Sequence, residues 1–206
     1  MLRLIFALIS IHLAFCEQVR QCTCSEIEPC KTEYMNTLIP CADECKSHVI
    51  EIGANYEKLK ECILSRRDKA EEAMVCVKKT LASACAKDVG ETVEKRYPET
   101  LKIAALVELD RMLKASGVQK DVKELVVKGR KMFHCLKECT AKSTDKCINR
   151  DCGLKLPPDS ELIKIAKRCA GEAGFNVEEV KAVCNCVANA GVKQLQGGLC
   201  ERLVLT

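Results

Sequence analysis

The sequence predicts an all-α protein, a disulfide-stapled antiparallel bundle of five to seven helices with almost no sheet. Two observations predict this class. Apolar residues recur at steps of three and four along the chain, and the central segments show no strand alternation. Cysteine is also unusually common, with 17 in 206 residues, and such usage in a secreted chain is typical of a disulfide scaffold.

The first sixteen residues, MLRLIFALISIHLAFC, are predicted to be a secretory signal peptide. Arg3 precedes an apolar run from Leu4 to Leu13, and small residues follow it. The run spans about ten residues, roughly half of what a membrane-spanning helix needs. We therefore expect cleavage before Glu17, a secreted extracellular protein and no membrane span.

The cysteines that follow the signal peptide are predicted to form disulfides. Without Cys16 the 17 cysteines become 16, an even number able to form eight bridges. The stretch FHCLKECTAKSTDKCINRDC at 133–152 has spacings that zinc ligands also use, but thiols oxidise outside the cell, and no C-x-x-C redox pair is present. The sixteen predicted half-cystines are Cys22, Cys24, Cys30, Cys41, Cys45, Cys62, Cys76, Cys85, Cys135, Cys139, Cys147, Cys152, Cys169, Cys184, Cys186 and Cys200.

The first predicted helix runs from Leu38 to Ile63, where apolar residues recur on one face. The residues SRRD at 65–68 are predicted to form a turn before the next helix, whose first turn is acidic. If the two helices form an antiparallel hairpin centred at residue 65, Cys45 faces Cys85, and we predict that bridge.

Cys41 and Cys45 lie on the same helical face, four residues apart. Their side chains project in parallel toward a neighbouring element, so they are predicted to make two separate bridges and not to bond each other.

Four further helix signals follow along the chain. One helix is predicted from Pro98 to Ser116, and another from Val118 to about Thr140. In the C-terminal part, Asp159 or Ser160 is predicted to cap a helix after two prolines. Asn176 resembles the start of a capping box before VKAVCNCVANAG. The side chains predicted to be buried in the second of these helices are Val122, Leu125, Val126, Met132, Phe133 and Leu136.

Cysteines flank a cysteine-free stretch from Ala86 to His134, with eight before it and eight after it. We expect a single cysteine-rich helical domain over residues 17–206. The alternative is two lobes, 17–90 and 118–206, joined by the cysteine-free helical stretch.

Residues suited to catalysis are scarce. Only His48 and His134 follow the predicted signal peptide, and both are expected to be surface or packing residues. No nucleophile elbow, glycine-rich phosphate loop or calcium loop is present. The sequence therefore predicts no enzyme, no catalytic residue, no metal site and no cofactor.

The charge of the mature chain is nearly balanced. Without Arg3 the 33 basic residues become 32, against 29 acidic ones, a net charge of +3 spread along the chain. No sustained basic stripe with interleaved aromatics occurs, so a nucleic-acid partner is not expected. Two short basic runs, VKKT at 77–80 and VVKGRKM at 126–132, are suited to contact an acidic glycan or a lipid headgroup. An extracellular protein or glycan is therefore the expected partner.

The order of the cysteines extends this reading. A C-x-C at Cys22 and Cys24, then PCADEC, a long amphipathic run to Cys62, CVKK, HCLKEC and CNC resemble nematode secreted proteins with a chondroitin proteoglycan 4 domain. A neighbouring nematode family of extracellular cysteine-rich helical domains looks similar. The resemblance implies a non-enzymatic structural or interaction module associated with a matrix or an eggshell. The only Ser-Gly, Ser116 with Gly117, is expected to end a helix and not to carry a glycosaminoglycan.

A secreted carrier of small apolar ligands is the alternative function. Insect odorant-binding proteins are helical bundles with a C-x3-C and a later C-x8-C, which Cys41 with Cys45 and Cys76 with Cys85 resemble. Cys62 and eight cysteines downstream depart from that pattern. A closed apolar cavity would favour the carrier, whereas a filled core with an extended exposed patch would favour the interaction module.

Overall fold

The computed structural model describes residues 17–88, 90–144, 147 and 151–205, but not the side chain of Lys31. The predicted signal peptide, residues 1–16, lies outside the described residues. Within them the protein is all-α and disulfide-stapled with one small sheet, which confirms the predicted fold class. The eight α-helices of this part exceed the predicted five to seven because the N-terminal segment is divided more often than its periodicity indicated.

The helices are α1 (Cys24–Glu44), α2 (Lys46–Glu51), α3 (Tyr56–Leu64), α4 (Arg67–Thr80), α5 (Pro98–Ala115), α6 (Lys123–Ser143), α7 (Asp159–Glu172) and α8 (Val177–Asn189). Two short 3₁₀ turns follow, at Lys193–Leu195 and Leu199–Arg202. The strands are β1 (Gln18–Gln21), β2 (Thr92–Glu94) and β3 (Cys152–Gly153). None of the helices in the described ranges combines the length and the apolar composition needed to cross a membrane.

The prediction of one continuous helix from Leu38 to Ile63 is wrong, because the first helix begins earlier and the predicted range is divided among three helices. The first helix begins much earlier, at a capping box in which Thr23 and Glu26 bond each other, the Thr23 N–H donating to Glu26 Oε2 at 2.7 Å. The chain then breaks after α2, where Gly53 adopts a φ of +84° that side chains disfavour. Periodicity alone did not reveal this break because the apolar spacing continues through it.

Tight contact with another turn holds that break in place. The Asn55 N–H donates to the Ala190 carbonyl at 2.6 Å, just beyond the end of α8. Gly191 has a φ of +110°, and a Cβ added to it would lie 2.8 Å from the Gly53 carbonyl oxygen. A side chain at position 191 would therefore push the two turns apart.

Sequence signals were more accurate for the later helices. The helix predicted from Pro98 begins at Pro98 and ends before Gly117, which has a φ of +65°. The Asn176 side chain accepts a hydrogen bond from the Glu179 N–H at 2.9 Å, as its capping pattern predicted. The cap predicted at Asp159 or Ser160 is wrong by one residue, since Pro158 precedes the first helical residue, Asp159.

Four disulfides form a nested ladder between the N-terminal segment and the segment around α6. The residue numbers rise in the first segment while those of the partners fall in the second: Cys22–Cys152, Cys30–Cys147, Cys41–Cys139 and Cys45–Cys135. Nested pairing requires the two segments to run in opposite directions, so α1 and α6 lie antiparallel. Two of the bridges come from paired C-x3-C motifs, and Cys41 and Cys45 do not bond each other, as predicted.

Two further bridges join neighbouring helices in the same manner. Cys62–Cys186 links α3 to α8, and Cys76–Cys169 links α4 to α7. The helices that each of these bridges joins also pack against each other, as α1 and α2 pack against α6. The remaining bridges are Cys24–Cys85 and Cys184–Cys200.

The predicted Cys45–Cys85 bridge is wrong. It assumed that α3 and α4, adjacent in sequence, pack as a hairpin, but α3 packs on α8 and α4 packs on α7. Cys45 therefore meets Cys135 of α6, and Cys85 meets Cys24 beside the sheet. Six of the eight bridges join the part before the cysteine-free stretch to the part after it, so the two parts are not separately cross-linked.

The sheet ties the N-terminus to both parts of the chain. Its strand order is β2-β1-β3, with Val19 opposite Val93 in the antiparallel pair and Arg20 opposite Cys152 in the parallel pair. The Cys22–Cys152 bridge lies beside this pairing. A three-stranded sheet this short depends on the helices and the bridge for its stability.

The buried core is small and rich in sulfur. Seven of the twenty buried hydrophobic residues in the described ranges are half-cystines, and five are alanines. Among the aromatic residues of the same ranges, only Tyr56 is buried. Phe133, predicted to be buried, is 51% exposed, and the Lys102 ammonium of α5 lies 5.2 Å from the centre of its ring. The bridges therefore supply a large share of the contacts that aromatic and long aliphatic side chains usually make.

Helix α5 is joined to its neighbours by no disulfide. It contains no cysteine and no buried residue, and it packs mainly on α7. Glu108 of α5 accepts a hydrogen bond from Lys167 of α7 at 2.6 Å. Arg96, just before α5, pairs with Asp159 of α7. These polar contacts and the packing of Leu113 on the buried core attach α5, and many of its apolar side chains stay exposed.

Peptide mapping under non-reducing conditions tests the ladder. Trypsin should release residues 32–46, which hold both Cys41 and Cys45, still linked to residues 132–137 and 138–142. Residues 70–78 should remain linked to 169–181 through Cys76–Cys169. A link between 32–46 and 80–87, which contains Cys85, would contradict the antiparallel ladder.

Two carboxylates are held in ion pairs that keep them charged at low pH. Arg20 donates hydrogen bonds of 2.9 and 2.8 Å to Glu26, and with Thr23 it lowers the pKa of Glu26 from 4.5 to about 2. Arg111 and Lys167 likewise lower the pKa of Glu108 to about 2. A group with a lowered folded-state pKa stabilises the fold above its unfolded pKa, and this stabilisation is lost as pH falls through the folded value. These carboxylates therefore stabilise the fold above about pH 4.5 and cease to do so toward pH 2.

Replacing Glu26 by Gln should test this linkage. At pH 7 the variant should unfold at a lower temperature than the parent protein, because the charged pairing with Arg20 is lost while the amide retains part of the cap. The difference should shrink between about pH 4.5 and 2, when Glu26 of the parent protein takes up its proton. Glu72→Gln, at an exposed position on α4, is the control. A difference that stays constant down to pH 2 would refute the assignment.

Candidate functional site

The candidate site is an open cleft between α6 and the junction of α1 and α2. Its volume is about 740 Å³. Glu44 of α1 and His48 of α2 line one side, and α6 lines the other with residues from Arg130 to Ser143. The cleft therefore combines two segments that are more than eighty residues apart in sequence.

Two disulfides fix the width of this cleft. Cys135 and Cys139 line it, and they bond Cys45 and Cys41 across the helix pair with Cα–Cα distances of 5.9 and 5.6 Å. Because each of these bridges joins one wall directly to the other, the two walls cannot separate without breaking a covalent bond. A ligand in this cleft would meet a surface whose geometry is set before binding.

The cleft lining has a small net positive charge. Arg130, Lys131 and Lys142 of α6 line it, against Glu44 and Glu138, which gives +1 apart from the histidines. The whole of α6 contains six basic and two acidic residues, a net charge of +4 that is spread around the helix. Such charges attract anions over a distance of about 8 Å at physiological ionic strength.

The basic side chains differ in how they are paired. Lys131 pairs with Glu51 of α2 at 3.2 Å. No ion pair found within the described ranges involves Arg130 or Lys142. Glu44 lies 3.5 Å from the Cys139 sulfur and Glu138 lies 3.6 Å from His134. Two cations of the cleft are therefore available to a bound anion.

Both histidines that the structure describes line this cleft. His134 is largely exposed, with Nδ1 3.6 Å from Glu138. His48 is half-buried, and its Nδ1 is buried without a hydrogen-bond partner, 3.8 Å from a Glu51 oxygen. The sequence predicted surface or packing positions for both histidines, but it did not predict that they line the same cleft. That they have no catalytic task stays a prediction.

The cysteines considered as zinc ligands are bonded elsewhere. Cys135, Cys139, Cys147 and Cys152 each pair with a cysteine of the N-terminal segment. A second group of potential ligands, Cys76, Cys169 and Glu172, has its ligand atoms within 4.8 Å, but the two sulfurs form a disulfide. A disulfide sulfur is not a thiolate, and the thiolate is the form that binds zinc. One carboxylate is therefore all that this group offers a metal ion.

Ser116 is engaged at the end of α5. It is 9% exposed, and its hydroxyl accepts a hydrogen bond from the Val204 N–H at 3.0 Å. Gly117 next to it has the positive φ that ends the helix. This arrangement agrees with the predicted capping role and leaves little access to the hydroxyl.

The sequence pointed to only part of the cleft. The run VVKGRKM, predicted to contact an acidic glycan or lipid headgroup, supplies Arg130 and Lys131. Lys142, Glu44 and His48 were missed, because only the pairing of α1 and α2 with α6 brings them there. The two C-x3-C motifs were the available signal, since their equal spacing allows them to bond each other across two neighbouring helices.

Comparison of the chain with protein-family models, with curated proteins and with solved structures finds no match in any of the three. The resemblance to chondroitin proteoglycan 4 domains therefore stays a prediction. A function for this chain is therefore inferred from its fold and from the chemistry of its surface.

Proposed function

We propose that this chain is a secreted extracellular, non-enzymatic interaction module that binds a sulfated glycan in the cleft between α6 and the α1–α2 junction. The observation that carries the proposal is the convergence of Arg130, Lys131 and Lys142 with both described histidines on one cleft. Sulfate groups along a glycan present fixed negative charges at any physiological pH, so they complement such a surface.

The disulfide frame supports an extracellular role. Eight bridges form among the described residues, and chains this rich in disulfides are typical of oxidising compartments. A cleft whose walls are covalently joined loses little conformational entropy when it binds a flexible polymer. Association with an extracellular matrix or an eggshell is part of the proposal and depends on the family resemblance.

The chemistry of the cleft favours a glycan over a nucleic acid. Single-stranded nucleic acids are usually bound by cations together with aromatic side chains that stack on the bases. The residues that line this cleft include basic, acidic, imidazole and disulfide groups but no Phe, Tyr or Trp. A polymer recognised by its sulfates alone suits this lining better.

Replacing Lys131 and Lys142 together by Gln should weaken binding to a sulfated glycan about three- to tenfold, since each exposed charge pair contributes about 0.2 to 1 kcal/mol. The measurement is the dissociation constant for size-defined heparin or chondroitin sulfate fragments at about 0.15 M salt. Hyaluronan, which has carboxylates but no sulfates, should bind more weakly than either.

The second basic run supplies a matched control. Lys78 and Lys79 of α4 lie away from the cleft, and Lys78 pairs with Glu28 at 2.9 Å much as Lys131 pairs with Glu51. The double variant Lys78→Gln with Lys79→Gln removes the same charge and should leave affinity nearly unchanged. Equal losses in both double variants would show that net charge, and not the cleft, governs binding.

A further double variant provides an independent measurement. The double variant Arg130→Gln with Lys142→Gln removes the two cleft cations that have no ion pair in the described ranges, and it should also weaken binding to the sulfated fragments. Failure of the parent protein to bind any sulfated fragment would refute the proposed function.

A further inference from the structure

A second concave surface also borders α6, and Arg130 lines both it and the cleft. It is a groove of about 430 Å³ between α5 and the first half of α6. Its apolar lining comes from Leu106, Leu109 and Leu113 of α5 and from Val126 and Val127 of α6. Its volume falls in the range of small-molecule pockets, which is about 300 to 1,000 Å³.

The aliphatic side chains of this groove remain largely in contact with water. Leu106 and Leu109 are 42% and 43% exposed, and Val127 is 53% exposed. Ile103, one helical turn before Leu106 on α5, is 61% exposed. Contiguous exposed apolar surface on a protein usually marks a site of binding.

Positive charge is concentrated where α5 turns into α6. Lys120 and Lys123 line that end of the groove, and no ion pair within the described ranges involves either of them. Asp110 also lines the groove, but it is already paired with Lys114 at 2.6 Å and accepts a hydrogen bond from Gln119. The end of the groove therefore carries a net positive charge.

We propose that this groove binds a long-chain carboxylate, an amphiphile with one anionic head and one alkyl chain. The carboxylate pairs with Lys120 and Lys123, and the chain lies along the leucines of α5 and the valines of α6 toward Ile103. The two lysines at one end of the groove suit the carboxylate, and the leucines and valines along it suit the alkyl chain.

This binding goes beyond the proposed glycan function, because the carboxylate pairs with Lys120 and Lys123, which do not line the cleft, and because its alkyl chain needs an apolar surface. It also gives the carrier hypothesis a different form. The sequence expectation was a closed apolar cavity, whereas the groove is open and its lining residues lie in the cysteine-free stretch, 86–134. No disulfide joins α5 to α6 or α7, so covalent bonds do not fix the width of the groove.

Displacement of a fluorescent fatty acid tests the proposal on the full mature chain with its disulfides intact. After delipidation, cis-parinaric acid should bind and palmitate should displace it. In Lys120→Gln with Lys123→Gln, palmitate should bind about three- to tenfold more weakly, while hexadecanol, which has no charge, should bind as in the parent protein. Val127→Asp should bind neither ligand, because a carboxylate would lie against the alkyl chain.

Two control variants keep the test specific. Val75 of α4 is an aliphatic residue with 63% exposure away from the groove, and Val75→Asp should leave binding unchanged. Lys78→Gln with Lys79→Gln should do the same. Far-ultraviolet circular dichroism and the mass of eight intact bridges would show that each variant is folded.

Several results would overturn the proposal. The first is that palmitate does not bind, and the second is that the two lysine substitutions weaken palmitate and hexadecanol equally. The third is that the protein binds only to phosphatidylserine vesicles. The fourth is that Val127→Asp loses self-association while no palmitate binding is seen. The third result would indicate a membrane surface and the fourth a second copy of the chain. Because Lys131 and Lys142 lie outside the groove, glycan binding that persists without palmitate binding would refute this inference alone.

Discussion

The nested disulfide ladder between α1 and α6 is the constraint on which the rest of the structure depends. It sets two long helices antiparallel. Two of its bridges, Cys41–Cys139 and Cys45–Cys135, lie side by side because each joins one C-x3-C motif to the other. Both candidate surfaces then follow from the position of α6, which forms one wall of the cleft and one wall of the groove. The small core, in which Val49, Val118 and Val192 are among the most buried side chains, packs around this frame and could not replace it.

The molecule divides into a part that disulfides cross-link and a part, around α5, that contains no cysteine. The cleft lies in the first part, where Cys41–Cys139 and Cys45–Cys135 fix its walls. The groove lies in the second, where α5 has no cysteine and no buried residue. This division suits two kinds of ligand, since a preformed charged surface favours a polyanion and an adjustable apolar surface favours a flexible chain.

The sequence predicted the helical class, the bounds of α5 and the cap at Asn176, because each depends on interactions within a few residues. It did not predict the start of α1 at Cys24 or the Cys45–Cys135 bridge, because both depend on segments distant in sequence. Assuming that neighbouring helices pair led to Cys45–Cys85. For the site, local charge indicated Arg130 and Lys131, whereas His48 enters only through the packing of α2 on α6.

Complete reduction is the most direct test of the claim that bridges, more than the apolar core, hold this fold. Each native bridge typically contributes about 2 to 4 kcal/mol, and a whole domain is stable by about 5 to 15 kcal/mol. The chain should therefore lose most of its helical circular dichroism when all sixteen cysteines are reduced and alkylated in native buffer at 25 °C. A reduced and alkylated chain that keeps its helix content and unfolds cooperatively at the temperature of the oxidised protein would contradict the account.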